Sequence, residues 1–402
     1  MPADTTQQTG TAAAGELQTL FVVSGAHLIS HLHIMVLPVL LPLLKDHMQV
    51  GFFELGLALT VFNIVSGLTQ APMGFLVDRI GARTVLVAGL LLGGFAFVSL
   101  GVLNFYAWLI GAALLAGLAN CVYHPADYAI LTDSISEDRI GRAFSVHTFA
   151  GFAGSAIAPP LLLGLAAAGG LDTSLVGAGI AAWVMAAVVL LMPAVNSARA
   201  APAVAAARMS VASVLTPTVL GLTLFFTFLA LAHSAMYSFS MVALVAGHGI
   251  SLAAATTALT AYLAGSAAGV LAGGPLADRT SRHGAVAAAG FGVSAVLALA
   301  IATLPLGAPP LIFFMGLAGF LLGVVQPSRD MLVRKAAPPG SAGRVFGIVS
   351  TGFNIGGIAG PLLFGWLMDY GAPRWIFGAA VVFMLVTALF ALFEERRPGR
   401  HA

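Results

Sequence analysis

The chain alternates long apolar runs with short breaks of polar, charged, Gly and Pro residues. Each of twelve runs reaches or exceeds the roughly 20 residues that a helix needs to cross about 30 Å of hydrocarbon. The pattern therefore predicts twelve transmembrane helices, near residues 17–44, 52–75, 84–104, 107–131, 141–169, 174–194, 215–246, 252–275, 285–304, 309–333, 342–370 and 373–393.

Composition supports the same class of protein. Hydrophobic residues make up 59% of the 402 residues and charged residues only 8%, too few to cover a surface exposed to water. The predicted fold class is an all-α polytopic membrane protein whose main partner is the lipid bilayer.

The basic residues predict the orientation. Of the 17 Lys and Arg residues, Lys45 and Arg374 lie on one side, Arg329 lies within a span, and the other 14 lie on the opposite side. By the positive-inside rule that opposite side is cytoplasmic, together with both termini. The location expected is a bacterial-type cytoplasmic (inner) membrane. The net charge of +2 reflects topology and indicates no nucleic-acid partner.

An internal repeat divides the chain. GFLVDR from Gly74 recurs as GPLADR from Gly274, and His124-Pro125 corresponds to Gln326-Pro327. Six spans thus repeat as six spans of the same orientation, as in transporters built from parallel repeats. The predicted regions are a cytoplasmic tail (1–16), a six-helix bundle (17–194), a cytoplasmic linker (195–214), a second six-helix bundle (215–393) and a cytoplasmic tail (394–402).

The loop after the second span carries the signature GFLVDRIGAR, within which Gly74, Asp78 and Arg83 stand at diagnostic places. Here the chain resembles the major facilitator superfamily of secondary transporters, over essentially its whole length. The resemblance implies two pseudo-symmetric halves and alternating access. Acids at helix ends and arginines that pair across the cytoplasmic mouth would form a gate, for which the candidates are Asp78, Arg79, Arg83, Asp278 and Arg279. The alternative is that these arginines only enforce topology.

Two shorter stretches, ISHLH in helix one and YHPADYAIL in helix four, are similar to the fosmidomycin-resistance group of drug efflux proteins. Gly154-x-x-x-Ala158-Pro159 in helix five is a degenerate form of an element that resembles one of proton antiporters. The resemblance implies export of a small compound.

Only two acids lie well within a span, Asp127 and Asp330. Asp127 and Tyr128 follow His124 by three and four positions, so that they share a helical face with it, and Pro125 can kink the same helix. A carboxyl that loses part of its water there holds its proton more firmly. We expect Asp127, aided by His124, to be the proton-coupling site. The alternative is a fixed ion pair or a helix cap.

Arg329 aligns with Asp127 across the repeat. A guanidinium keeps its charge in the membrane and therefore needs an anion, which could be Asp127, Asp330 or an anionic substrate. Asp330 and Arg334 are also spaced as a structural i,i+4 pair.

Helix one carries three histidines. His27 and His31 share one face, and His33 points away from it. Such rings can contact a substrate or respond to pH, whereas a buried ring can also simply bond a neighbouring carbonyl. The candidate substrate contacts are His31, His27, Tyr123, His147, His233, Tyr237, Gln326, Arg329 and Asn354.

Other chemistries find less support. His and Met recur at helical spacing in helices one and seven, which suits copper, nickel or zinc, but no second deep carboxylate or thiol cluster accompanies them, so no metal site is predicted. The single cysteine, Cys121, is expected to be a packing residue. No phosphate-binding GxxxxGK[ST] and no paired-cysteine motif occurs, so we expect a non-enzyme without cofactor that uses a proton gradient.

The favoured function is proton-coupled export of a small organic compound, drug or metabolite, by a monomer. Three alternatives remain open: proton-coupled import of a small organic anion bound by Arg329, transition-metal transport through membrane His and Met, and a membrane receptor that transports nothing.

Overall fold

The computed structural model describes residues 5–137, 139–192, 216–336 and 342–396, with side chains from residue 15 onward and excluding those of 342–344. Across these ranges the backbone is helical and contains no strand. The predicted linker 195–214 and most of the last predicted tail lie outside the described residues. The first helix begins at Thr5 and so includes most of the predicted tail 1–16.

Thirteen α-helices follow one another along the described chain. They are α1 (Thr5–Met48), α2 (Phe52–Ile80), α3 (Ala82–Val102), α4 (Tyr106–Asn120), α5 (Tyr123–Ser134), α6 (Ile140–Leu191), α7 (Pro217–Ser234), α8 (Ser240–His248), α9 (Leu252–Arg279), α10 (His283–Thr303), α11 (Ala308–Ala336), α12 (Ala342–Asp369) and α13 (Trp375–Arg396).

These helices account for the twelve predicted spans. α4 and α5 form one span, and so do α7 and α8, which a π-helical turn joins at Ala235–Phe239. By contrast, α6 has 52 residues, about 78 Å at 1.5 Å per residue, which is more than twice the hydrocarbon thickness. Gly170 interrupts it with φ 85° and ψ 177°, so α6 contains spans five and six.

The predicted irregularity near Pro125 is present. α4 ends at Asn120, and α5 starts at Tyr123 after a short turn, so Pro125 lies in the first turn of α5. A missing backbone N–H is tolerated in a first turn, because the first N–H groups of a helix have no partner within that helix. The break gives α5 its own start and fixes which way its side chains face.

The chain forms two compact units. One holds Met1–Leu40 and Val61–Val204, the other Leu41–Thr60 and Ala205–Ala402, as far as these are described. The junction of α1 and α2 thus groups with the second unit, whereas the repeat assigns it to the first bundle. One reason is Asp369, whose carboxylate oxygens accept the N–H groups of Phe52 at 2.9 Å and Phe53 at 2.7 Å.

Small residues let helices meet closely inside each unit, as the sequence predicts for Gly154. A Cβ at Gly154 would collide with the carbonyl oxygen of Leu28 in α1, and a Cβ at Gly319 of α11 with that of Tyr262 in α9. In lipid, such close backbone approach is a main source of helix association. In the first unit it brings α6 against the histidine-bearing part of α1.

Candidate functional site

Asp127 lies in the interior of the first unit, with none of its surface exposed. Its Oδ2 atom is 3.6 Å from Nδ1 of His27 in α1 and 3.7 Å from Nε2 of His147 in α6. Both distances exceed those of a hydrogen bond. The carboxylate therefore faces two imidazoles without being bonded to either.

Three helices place these groups. Asp127 stands one turn into α5, His147 stands two turns into α6, and His27 lies in the middle of α1. The break before Tyr123 sets the rotation of α5, and the close approach at Gly154 brings α6 to α1. The predicted coupling residue thus lies between two histidines that the sequence had suggested only as substrate contacts.

The imidazoles themselves pack as a cluster around His27. The ring of His27 stacks on that of His147 with centroids 4.0 Å apart, and it lies 4.7 Å from His31 and 5.3 Å from His124. Gly151 of α6 makes room for them, because a Cβ there would come within 2.7 Å of His27 Nε2 and 2.9 Å of His31 Cδ2.

The margin of the cluster is more polar and more open. His31 places Nδ1 3.2 Å from the hydroxyl of Ser155 in α6, a residue that the sequence gave no reason to select. On α5, His124 and Tyr128 are exposed, and the Tyr128 ring lies 5.8 Å from His147. Polar side chains therefore connect the buried carboxylate to the surface of this unit.

Several buried atoms of the cluster have no hydrogen-bond partner among the described residues. They are both carboxylate oxygens of Asp127, Nδ1 of His27, both ring nitrogens of His147 and the hydroxyl of Tyr123. An ionised carboxylate buried in this way costs several kcal/mol unless a cation or a proton neutralises it. The arrangement can therefore take up positive charge at Asp127.

The same three side chains could hold a metal ion. One ligand atom each from His27, Asp127 and His147 lies within 4.8 Å of the others, all three residues being buried. The sequence predicted no metal site, because it showed no second deep carboxylate or thiol cluster; the structure assembles these three ligands from α1, α5 and α6.

His33 lies beside a backbone carbonyl, which is the structural alternative that the sequence left open for the histidines of helix one. It is buried, its Nε2 lies 3.0 Å from the carbonyl oxygen of Ala178, and its ring packs edge-on against Phe97. The prediction that His33 points away from the His27 and His31 face is confirmed.

The remaining predicted substrate contacts belong to the second unit. The His233 and Tyr237 rings lie 4.6 Å apart beside the π-helical turn. Gln326 in α11 is half-buried, and Asn354 in α12 is exposed. The turn itself is a feature often found at functional sites, and the sequence gave no sign of it.

Arg329 is neutralised within its own helix. Its guanidinium lies 2.9 Å from the carboxylate of Asp330 and covers the rings of Phe226 and Phe353 at 5.1 and 5.6 Å. Asp330 was one of the three anions that the sequence allowed for Arg329, and its i,i+4 spacing had also suggested a pair with Arg334. The aromatic faces add cation–π stabilisation.

The predicted gate residues fall into two groups. Arg83 is half-buried and donates to the carbonyls of Val189 at 3.1 Å and Leu190 at 2.8 Å, at the end of α6 where a helix dipole favours a cation. The others are exposed in the last turns of α2 and α9, namely Asp78, Arg79, Asp278 and Arg279.

Comparison with known proteins places the chain among transporters. Residues 23–245 and 222–402 match the family model of the Major Facilitator Superfamily. A multidrug resistance protein, MdtH of Aeromonas hydrophila, is 28% identical over 337 residues, covering 79% of this chain and 81% of that protein. The fosmidomycin resistance protein of Escherichia coli is 24% identical over 407 residues, covering 96% of each.

Solved structures show the same fold. A bacterial homologue of the human lysosomal transporter Spinster, solved inward-facing and unoccupied, superposes with a TM-score of 0.82 at 15% identity, over 95% of this chain and 97% of that one.

Proposed function

Since the chain belongs to the Major Facilitator Superfamily, we propose that it is a proton-coupled secondary transporter that exports a small organic compound by alternating access. The observation that carries the proposal is the fully buried Asp127 carboxylate, which has no hydrogen-bond partner among the described residues and faces His27 and His147.

The proposed coupling follows from the cost of burying charge. Without a proton, the carboxylate of Asp127 is a net charge in a low-dielectric interior, and one proton removes that charge. His27 and His147 can stabilise the ionised form from 3.6 and 3.7 Å when the site opens to water. A proton loaded on one side of the membrane and released on the other would then drive the substrate in the opposite direction.

The proposed direction and substrate class draw on the relatives. Two of them are named for resistance to drugs, one broadly and one for fosmidomycin. Export of a drug or metabolite is therefore the function we assign. For the substrate contacts we propose His31 with the neighbouring Ser155 in the first unit and His233 with Tyr237 in the second.

The alternative of anion import is less well supported. It requires Arg329 to offer a free positive charge to the substrate, yet Arg329 already contacts Asp330 and two aromatic rings. An anionic substrate would have to displace Asp330 first. Neutral and cationic compounds meet no such requirement.

The experiment is substrate-driven proton movement in liposomes that contain the purified protein and an internal pH dye. Fosmidomycin and a panel of neutral and cationic drugs would be tested on wild type, Asp127→Asn and Asp133→Asn. Asp133 stands in the same helix and is exposed, so it is the matched control. We expect Asp127→Asn to reduce coupled proton movement more than about tenfold, as loss of a proton-transfer group does, and Asp133→Asn to leave it unchanged.

A result of equal coupled movement in Asp127→Asn and wild type would refute the assignment. Gel filtration and the thermal unfolding midpoint of each variant must first match wild type, so that a misfolded protein is not read as an uncoupled one. Absence of proton movement with every compound, in folded wild type, would favour the receptor.

A further inference from the structure

We propose that His27, Asp127 and His147 form a binding site for one divalent transition-metal ion of the zinc class, and that the bound ion takes the place of the coupling proton and arrests transport. The arrest rests on the proposed function, whereas the binding does not.

The geometry is close to that of a metal centre. The two His–Asp separations are 3.6 and 3.7 Å, and the third side of the triangle is at most 4.8 Å. Ligand atoms of a tetrahedral zinc with bonds of 2.0–2.1 Å lie about 3.3 Å apart. Small rotations of the two rings would bring the nitrogens to bonding distance, and the absence of a Cβ at Gly151 leaves space beside the His27 ring.

The donor set selects the kind of ion. Two neutral imidazole nitrogens and one carboxylate oxygen suit zinc, cobalt and nickel, whereas magnesium and calcium prefer oxygen alone and copper(I) prefers sulfur. Three protein ligands with an open fourth position are also a common zinc arrangement. A water molecule can supply the fourth ligand. The rings of His31 and His124 also lie close to the His27 ring and are alternative fourth ligands.

Burial and missing partners point to a ligand as well. The three residues are 0–4% exposed, and their facing atoms have no hydrogen-bond partner among the residues described. A metal ion would satisfy Nδ1 of His27, Nε2 of His147 and Oδ2 of Asp127 together, while a single proton can satisfy only one such contact. The exposed His124 and Tyr128 mark a route of entry.

The proposed competition follows directly. A metal ion and a proton both need the same Asp127 oxygens, and a bound divalent ion leaves one positive charge beyond what the carboxylate neutralises. Moving that extra charge through the membrane interior is costly. The metal-bound protein would therefore stay in the state in which it was loaded.

Binding would be measured on the full chain in lipid nanodiscs by titration with Zn²⁺ against a chelating dye, and with Co²⁺ followed by visible absorption. The variants are Asp127→Asn, His147→Gln and, as control, His33→Gln. His33 is also a buried histidine of α1, but it bonds Ala178 on the other face. Any metal held by surface histidines persists in all four proteins.

We expect one ion per chain in wild type and in His33→Gln, with affinity lowered more than about tenfold in the other two. Absence of stoichiometric binding in wild type would overturn the proposal, and so would equal affinity in His147→Gln.

The arrest is tested in the liposome assay by adding Zn²⁺ to wild type and to His33→Gln. Substrate-driven proton movement should stop in both proteins. If wild type binds one ion and transports undiminished, the arrest is wrong and the site stands. If no protein moves protons at all, the proposed function fails while the binding result remains valid.

Discussion

Asp127 and Asp133 stand in the same short helix, but only Asp127 is removed from water. The difference comes from the residues that α1 and α6 bring to each position. Around Asp127 these are the imidazoles of His27 and His147. Because an imidazole can be neutral or charged, these neighbours allow the Asp127 carboxyl group to be either protonated or ionised. At the residue scale, this arrangement supports the proposed exchange of a proton at Asp127.

The space that the imidazoles occupy depends on Gly151. Replacing Gly151 by Ala places a methyl group against His27 and His31, and overpacking of this kind costs about 1–3 kcal/mol. We expect Gly151→Ala to lower the thermal unfolding midpoint in detergent, measured at one scan rate.

Gly164→Ala is the control for this prediction. Gly164 lies in the same helix, and a Cβ there meets nothing within 4 Å. We expect its midpoint to equal or exceed that of wild type, and an equal effect of the two substitutions would contradict the packing account.

At the scale of the element, α6 shows how one residue can divide a continuous helix into two spans. The backbone of Gly170 takes φ 85° and ψ 177°, a conformation open almost only to glycine. Apolar residues continue on both sides, so hydrophobicity alone does not mark the turn at this point. The Gly169-Gly170 pair does mark it, and it lies at the predicted boundary between residues 169 and 174.

Substitution of Gly170 by Ala tests this role. A Cβ at Gly170 meets nothing within 4 Å, so any cost arises from the backbone conformation, about 1–3 kcal/mol. We expect Gly170→Ala to unfold at a lower temperature than Gly164→Ala in the same detergent. Equal midpoints would show that the turn tolerates a side chain.

At the scale of the whole molecule, two units of common design carry different chemistry. Asp127 and Arg329 occupy equivalent positions of the repeat, yet Asp127 lies among histidines and Arg329 is paired with Asp330. The repeat preserves the architecture of the helices and leaves their polar side chains free to diverge. The proton coupling that we propose therefore belongs to the first unit.

Orientation in the membrane gives a further prediction for the whole chain. Because Cys121 is the one cysteine and is buried, a Cys121→Ala background accepts single reporter cysteines. In intact cells we expect a membrane-impermeant maleimide to label Tyr370→Cys, at a residue 74% exposed, and to leave the exposed Arg282→Cys unlabelled. Both should react in broken cells.

The reverse pattern in intact cells would invert the topology predicted from the basic residues. The Cys121→Ala parent, which carries no reporter cysteine, is the negative control. Labelling of this parent would reveal a non-specific reaction.

The sequence by itself determined the twelve spans, the six-plus-six repeat and the family, and it selected Asp127 as the candidate coupling residue. These properties follow from hydrophobic length and from a local motif, both of which are written along the chain. Only the tertiary structure decided that His27 and His147 contact Asp127 and that Ser155 contacts His31. It also decided that Gly151 leaves space for two rings and that Arg329 pairs with Asp330. The physical reason is that these contacts depend on how α1, α5 and α6 are rotated and how closely they approach, which side-chain spacing within one helix does not specify.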